Sequence, residues 1–143
     1  MENTKKSYIT ALISSALCIL LAFSSCNNPD NKNSTGIGPV KKVELNNELD
    51  KNLIDQGKFI FTKKCMECHN LDIKIVGPAL RDVTKRRKAE WIMNMILNTE
   101  QMIKEDSTAR SLFITHVVKM VVKDVSEQDS RAVLEYLRSV ETK

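Results

Sequence analysis

Two cysteines and a histidine stand together in the middle of the chain, in the order Cys65-Met66-Glu67-Cys68-His69. Cysteines three positions apart on a helical turn can each add through sulfur to a vinyl group of haem, and a histidine directly after them can bind the iron. The spacing therefore predicts one covalent haem c, with Cys65 and Cys68 as its two thioether attachments and His69 as an iron ligand.

Three other chemistries use cysteines at this spacing. A thioredoxin-like redox pair requires alternating strands and helices, which the sequence pattern does not predict. A tetrahedral zinc site requires two further Cys or His ligands at short spacing. His116 is the one remaining candidate, so a zinc site would lack a ligand. A structural disulfide is the simplest use in an exported protein. We favour haem attachment, because cells attach haem c outside the cytoplasm and the N-terminal residues, described below, predict export.

An iron bound by His69 needs a second axial ligand or has an open site. Met120 lies in an apolar stretch, Val117–Val122, which precedes the last predicted helix and is suited to covering a haem face. We therefore predict Met120 as the second iron ligand, with His116 as the alternative. Methionine and histidine together fill both axial positions, which suits electron transfer. Three other methionines in the middle helical region are expected to fill the core: Met93, Met95 and Met102.

The N-terminal residues predict export. Lys5 and Lys6 precede an apolar run from Ile9 to Phe23, which is too short for a spanning helix but suits a secretory signal peptide. Small residues then lead to Cys26, as in lipoprotein signals. We predict that residues 1–25 are a signal peptide of lipoprotein type, that Cys26 is lipidated, and that the protein is held on the periplasmic side of a membrane. Ordinary cleavage that leaves Cys26 as a free thiol is the alternative.

The rest of the chain divides into a linker and one domain. Residues 26–46 are rich in Asn, Pro and Gly without a helical or alternating pattern, so we predict a flexible tether. Residues 47–143 have apolar side chains at three- and four-residue steps, which predicts an all-α domain of about four to five helices. The first predicted helix ends near Lys64, and the second and third cover Trp91–Ile96 and Leu112–Val117. The last predicted helix begins after the capping residue Ser126.

The charge of the chain limits the classes of partner, and its aromatic content limits the size of the core. A formal charge of +4 does not call for nucleic acid, and no basic surface with interleaved aromatic residues is apparent. The run Lys85-Arg86-Arg87-Lys88 is a solvated face, a docking surface for an acidic redox partner, or a means of neutralising a haem propionate. Trp91 either packs in the core or donates its indole N–H to a propionate. Aromatic residues make up only 5% of the chain, so a haem would complete a small core.

Residues 55–140 resemble the class I c-type cytochromes of the small, single-haem kind. The resemblance begins with Gly57-Lys58-Phe59-Ile60-Phe61 and continues with Gly77-Pro78-Ala79-Leu80 after the haem motif. It ends with Met120 and the segment Leu134-Glu135-Tyr136-Leu137. The resemblance implies the cytochrome c fold around one covalent haem.

The same resemblance assigns roles to residues around the haem. It implies that the carbonyl of Pro78 accepts the ring proton of His69, which fixes the ring and strengthens the ligand. It also implies that Gly57 lets the first and last helices cross closely, with Phe61 and Tyr136 near the contact.

Function is predicted from the class. Small lipoprotein cytochromes often serve respiratory chains. This chain resembles them, and the resemblance includes the segment around Arg86-Arg87 and Glu90-Trp91. We predict an electron carrier and not an enzyme, which exchanges electrons with a quinol-oxidising complex or a terminal reductase, with nitrous oxide reductase as the favoured acceptor. The alternatives are a haem-based sensor or peroxidase-like protein with a labile Met120, and an exported thiol or disulfide module without haem.

Overall fold

The computed structural model describes residues 31–142, and this part of the chain contains helices and loops but no strand. Its six helices, in chain order, are α1 (Lys51–Lys64), α2 (Val83–Arg86), α3 (Ala89–Leu97), α4 (Thr99–Glu105), α5 (Ser107–His116) and α6 (Glu127–Ser139). The all-α prediction is confirmed. The pattern did not predict α2 and α4, which have four and seven residues, because an apolar stripe needs about three turns to be recognisable.

Helices α1 and α6 cross closely at Gly57. A Cβ atom on Gly57 would lie 2.0 Å from the carbonyl oxygen of Ala132, so any larger residue would push the helices apart. The rings of Phe61 and Tyr136 pack beside the crossing, with centroids 5.3 Å apart. The close crossing is therefore present as predicted, and it fixes the end of α1, from which the Cys65–His69 segment continues.

Helix α6 begins at the predicted cap. The Ser126 hydroxyl accepts the Asp129 N–H at 3.1 Å, and the Asp129 carboxylate accepts the Ser126 N–H at 2.9 Å. This capping box satisfies donors that a helix start leaves unpaired. The apolar face of α6 then joins α1 and α3 in the core, whose buried members are Val40, Phe61, Trp91, Ile92, Met93, Met102, Ala109, Val133, Leu134 and Leu137.

A buried carboxylate ties α6 to the start of α1. The Glu135 side chain is 1% exposed and forms ion pairs with Arg131 at 2.6 Å and Arg138 at 3.0 Å. It also accepts the backbone N–H of Asp50, the N-cap of α1, at 3.2 Å. Burial by itself raises the pKa of Glu135, but hydrogen bonds from these three partners hold that pKa below its ordinary value. Glu135 is therefore ionised at neutral pH.

Residues 34–43, which we name the N-terminal strap, pack on the domain. Val40 is 3% exposed, and its N–H donates to the side-chain oxygen of Asn94 at 3.0 Å. The Asn94 amide in turn donates to the carbonyls of Thr35 at 3.0 Å and Val40 at 2.9 Å. The prediction that residues 26–46 form a flexible tether is thus wrong for the strap, and the packed domain begins near Ser34 and not at residue 47.

Two glycines account for the difference between the predicted linker and the packed strap. A Cβ on Gly38 would lie 2.3 Å from Oδ1 of Asn94, and Gly36, with φ at +74°, lies against the sulfur of Met102. These glycines allow the backbone to approach the helices closely, although glycine in a sequence is equally typical of a flexible linker. The predicted signal peptide and Cys26 lie outside the described residues. Within residues 31–142, no helix is long and apolar enough to cross a bilayer.

Candidate cofactor site

The cysteine and histidine segment forms a tight turn that continues α1. The N–H of Cys65 donates to the carbonyl of Phe61 at 2.9 Å, and the N–H groups of Cys68 and His69 both donate to the carbonyl of Cys65, at 3.1 and 2.8 Å. Both thiols are free, so they are not joined in a disulfide. The turn brings Cys65, Cys68 and His69 to the wall of one cavity.

The loop after this turn holds the His69 ring. Nδ1 of His69 donates to the carbonyl of Pro78 at 2.9 Å, and the N–H of Gly77 donates to the carbonyl of Cys68 at 2.7 Å. A Cβ on Gly77 would lie 2.4 Å from Cε1 of the His69 ring. The backbone of Gly77 therefore packs closely against the ring, and a larger residue would displace it. The hydrogen bond that the resemblance implied for Pro78 is therefore present in the structure.

The surroundings of His69 favour a neutral ring. Burial lowers its pKa, the hydrogen bond to Pro78 opposes this, and the nearby His116 lowers it further, so that the pKa lies below the ordinary value. Because Nδ1 carries the proton that is donated to Pro78, Nε2 has a free electron pair. A neutral imidazole with its second nitrogen fixed by a backbone carbonyl is the usual form of a metal-binding histidine.

The cavity has a volume of about 380 Å³, which lies within the range of pockets that hold small molecules and cofactors. Met120 and His116 line it together with Cys65, Cys68 and His69. Most of the remaining wall is apolar and includes Leu80, Met95, Ile96, Leu112, Phe113 and Val121. The structure thus brings together every residue that the sequence proposed for attaching haem or binding its iron.

The loop that carries Met120 begins at a strained residue. Val117 ends α5 in the left-handed conformation with φ at +62°, which is unfavourable for a β-branched side chain. The chain therefore leaves the helix directly after His116, and His116 and Met120 do not share a helical face. Farther along, Nζ of Lys64 donates to the carbonyls of Lys123 at 2.9 Å and Asp124 at 2.8 Å, which joins the end of α1 to this loop.

His116 contacts another part of the cavity wall. Its Nδ1 donates to the carbonyl of Val76 at 3.2 Å, in the loop that precedes Pro78. This bond links the C-terminus of α5 to the loop that holds His69. The contacts of Lys64 and His116 could not be predicted from the sequence, because both side chains donate to backbone carbonyls, which have no side-chain signature.

Trp91 tests whether the cavity suits a haem. The residue is 4% exposed, and its indole Nε1 is buried without a hydrogen-bond partner within the described residues. Buried donors are rarely left unpaired, so an acceptor from a bound group is expected there. Cζ of Arg87 lies 5.4 Å from the centre of the indole ring. An anionic group, such as a haem propionate, fits beside this pair, and the apolar walls fit the macrocycle.

The structure weakens the other uses of the two cysteines. Burial, with a smaller contribution from Cys68, raises the pKa of the Cys65 thiol to about 11, whereas thiols of redox pairs have lowered pKa values. Between residues 31 and 142, no group of three or more His, Cys, Asp or Glu side chains is arranged to hold a metal ion. A thiol redox pair and a zinc site are therefore both disfavoured.

Comparisons with known proteins agree with this geometry. The family model of cytochrome c matches residues 54–141. A cytochrome c from Rhodothermus marinus is 45% identical, with a TM-score of 0.70, over 72% of this chain and 89% of that one. An engineered cytochrome c from the same organism, bound to a carbene intermediate, is 44% identical, with a TM-score of 0.68, over 72% of this chain and 89% of that one. The search of curated proteins gave no match.

An all-α domain whose cavity is lined by a Cys-x-x-Cys-His turn and apolar side chains defines a covalent haem protein of the class I type. The chain belongs to the cytochrome c family. Members of this family carry covalently attached haem c and act as electron carriers, so the predicted cofactor and the coarse function are confirmed. When bound, the haem supplies an iron that cycles between the ferrous and ferric states.

Proposed function

We propose that this cytochrome is a membrane-tethered electron carrier of a respiratory chain, with His69 and Met120 as the two axial ligands. One observation carries the proposal: Met120 lies on the wall of the cavity that the Cys65–His69 turn also lines. With both axial positions filled by the protein, no position is left for a substrate, and the remaining task is electron transfer. The apolar walls exclude water, which limits the reorganisation that accompanies each change of charge.

The ligand assignment is tested with two methionines of the same cavity. Met120→Ala should abolish the charge-transfer band of methionine-bound ferric haem and let added imidazole bind at once. Met95→Leu is the matched control, because Met95 also lines the cavity and should keep the band. A wild-type spectrum that lacks this band, and that changes in His116→Ala but not in Met120→Ala, would show that the proposed ligand is wrong.

We further propose that Cys26 carries a lipid anchor on the periplasmic side of the membrane. The support is the basic, apolar and small-residue order of residues 1–25. Mass spectrometry of the mature N-terminal peptide should find a diacylglyceryl or triacyl group on Cys26. In membranes washed with high salt, which removes electrostatic binding, Cys26→Ser should move the protein from the membrane fraction to the soluble fraction. An unmodified Cys26 in the mature protein would contradict the anchor.

The electron acceptor that we propose is a terminal reductase, with nitrous oxide reductase as the first candidate. Its support is the resemblance of the segment around Arg86-Arg87 and Glu90-Trp91 to small lipoprotein cytochromes of such chains. In a stopped-flow experiment, the reduced cytochrome should lose its α band when mixed with nitrous oxide reductase and nitrous oxide. Oxidation that is no faster than in the absence of the enzyme would exclude this acceptor.

A sensor or peroxidase-like role is the second candidate. Two observations favour it: the strained φ of +62° at Val117 near Met120, and an engineered relative that binds a carbene intermediate, which indicates an accessible haem in that protein. Peroxide-dependent oxidation of a dye separates the two candidates. Turnover by wild type equal to that of Met120→Ala would favour the second, whereas turnover confined to the variant would favour the carrier.

A further inference from the structure

An open groove of about 470 Å³ lies between residues 32–45 and the connection from α2 to α3. Five cationic residues line it and come from both sides: Lys32, Lys85, Arg86, Arg87 and Lys88. Glu90 is the acidic residue on its wall, and its carboxylate already accepts the N–H of Val43 at 2.9 Å. We call this surface the basic groove.

The cations of the basic groove divide into two kinds. Lys85 forms an ion pair with Asp82 at 3.2 Å, and Arg86 donates to two backbone carbonyls of the preceding loop, at 2.7 and 3.1 Å. These contacts hold part of the groove in shape. Lys32 and Lys88 are exposed, and within residues 31–142 their side chains make no hydrogen bond or ion pair, so their ammonium groups are available for an anion from outside.

Chain length places this groove close to the proposed lipid anchor. Lys32 stands six positions after Cys26, and a fully extended chain spans at most about 3.6 Å per residue. Lys32 therefore lies no farther than about 22 Å from a lipidated Cys26. Because the N-terminal strap is packed on the domain from Ser34 onward, the groove cannot move away from the membrane as it could at the end of a tether of twenty residues.

We propose that the basic groove binds the phosphate headgroups of anionic phospholipids in the membrane that carries the anchor. The inference rests on the proposed function for the position of the anchor. Charge complementarity supports it, since each Lys or Arg near an anionic membrane surface contributes about 1 kcal/mol. The forced proximity of Lys32 to the bilayer favours lipid over an acidic protein as the occupant.

Docking in this groove would orient the cofactor cavity. Arg86 and Arg87 line both the basic groove and the cavity. A membrane surface bound in the groove therefore lies next to the Arg87–Trp91 edge of the cavity. The lipid-anchored carrier would lie on the membrane in one orientation and would not sample all orientations.

The test uses the mature holoprotein with Cys26→Ser, so that no acyl chain can drive binding. Sedimentation compares vesicles of phosphatidylcholine alone with vesicles that contain phosphatidylglycerol. Binding should require phosphatidylglycerol and should weaken with salt. Lys32→Gln combined with Lys88→Gln should lower the partition coefficient about 30-fold. The matched control, Lys58→Gln combined with Lys63→Gln, removes the same charge outside the groove and should lower it less than about threefold.

Three results would overturn the inference: equal losses in the two double variants, equal binding to neutral vesicles, and the absence of vesicle binding. If vesicles do not bind but the Lys32 and Lys88 variant reduces an acidic redox protein more slowly than the control does, the groove is a protein-docking surface instead. The anchor is judged separately by the mass of the N-terminal peptide. If Cys26 is unmodified but vesicle binding still depends on the groove, the proposed lipid anchor is wrong and the proposed phospholipid site is supported.

Discussion

At the scale of single residues, Trp91 and Glu135 are two buried polar groups in opposite situations. The indole N–H of Trp91 has no partner within the described residues, whereas the Glu135 carboxylate accepts hydrogen bonds from two arginines and a backbone amide. An unpaired donor in a cavity indicates that a bound group completes it, and a fully paired carboxylate indicates a structural role. The two residues therefore give different predictions.

Trp91→Phe removes the donor and keeps an aromatic ring. If the indole N–H binds a haem propionate, its loss leaves more negative charge near the iron, which favours the ferric state. We expect a lower reduction potential in a potentiometric titration, with little change in the visible spectrum. Phe113→Leu, at another ring of the cavity wall, serves as the control, and equal shifts in both variants would argue against the hydrogen bond.

Glu135→Gln leaves Arg131 and Arg138 without their carboxylate. Breaking a buried ion pair on one side typically costs 3 kcal/mol or more, so we expect a loss of about 3 kcal/mol in the free energy of unfolding at pH 7. Because the folded-state pKa of Glu135 is below its ordinary value of 4.5, its contribution is present above that pH and is lost as the pH falls through the folded pKa.

Denaturant titrations of both proteins at several pH values measure this difference. The gap between wild type and variant should be largest at neutral pH and should shrink below about pH 4.5. Glu48→Gln, an exposed carboxylate near the same end of α1, is the control and should change stability by less than about 0.5 kcal/mol. A constant gap at all pH values would contradict the role assigned to Glu135.

At the scale of elements, the crossing of α1 and α6 is the contact that holds the Cys65–His69 turn in place. Gly57→Ala adds one methyl group where the carbonyl of Ala132 already lies. Alanine is the better helix former, but the overpacking should dominate and lower the free energy of unfolding by about 2 kcal/mol. The midpoint of chemical unfolding measures this. Gln56→Ala, at the exposed neighbouring position, should have a small or stabilising effect, and similar losses in both would be inconsistent with a steric cause.

The sequence predicted the elements unequally, for physical reasons. Helices α1, α3, α5 and α6 are long enough for a 3.6-residue apolar period, and α6 also carries a recognisable cap. The packing of the strap is not predictable from its own residues, because it depends on the buried side chain of Asn94, which forms hydrogen bonds with the strap backbone. In the site, the motif predicts the Cys65–His69 turn and the family resemblance implies the Pro78 contact. The contacts of Lys64 and His116 with backbone carbonyls depend on the folded loops.

At the scale of the whole molecule, the domain surrounds a cavity and has few large side chains with which to fill it. Cys65→Ala combined with Cys68→Ala removes the covalent attachments, and we expect that variant to be largely unfolded because the remaining core is too small. Circular dichroism during heating measures this. A cooperative transition with native helix content in the colourless variant would contradict the view that the haem completes the core.

The most direct test of the carrier assignment is the visible spectrum of the exported, dithionite-reduced holoprotein before and after carbon monoxide is added. We expect a sharp α band that carbon monoxide leaves unchanged, because His69 and Met120 would occupy both axial positions. Immediate conversion to a carbon monoxide complex without denaturant would contradict the carrier assignment. The iron would then have an open axial position or a readily displaced ligand.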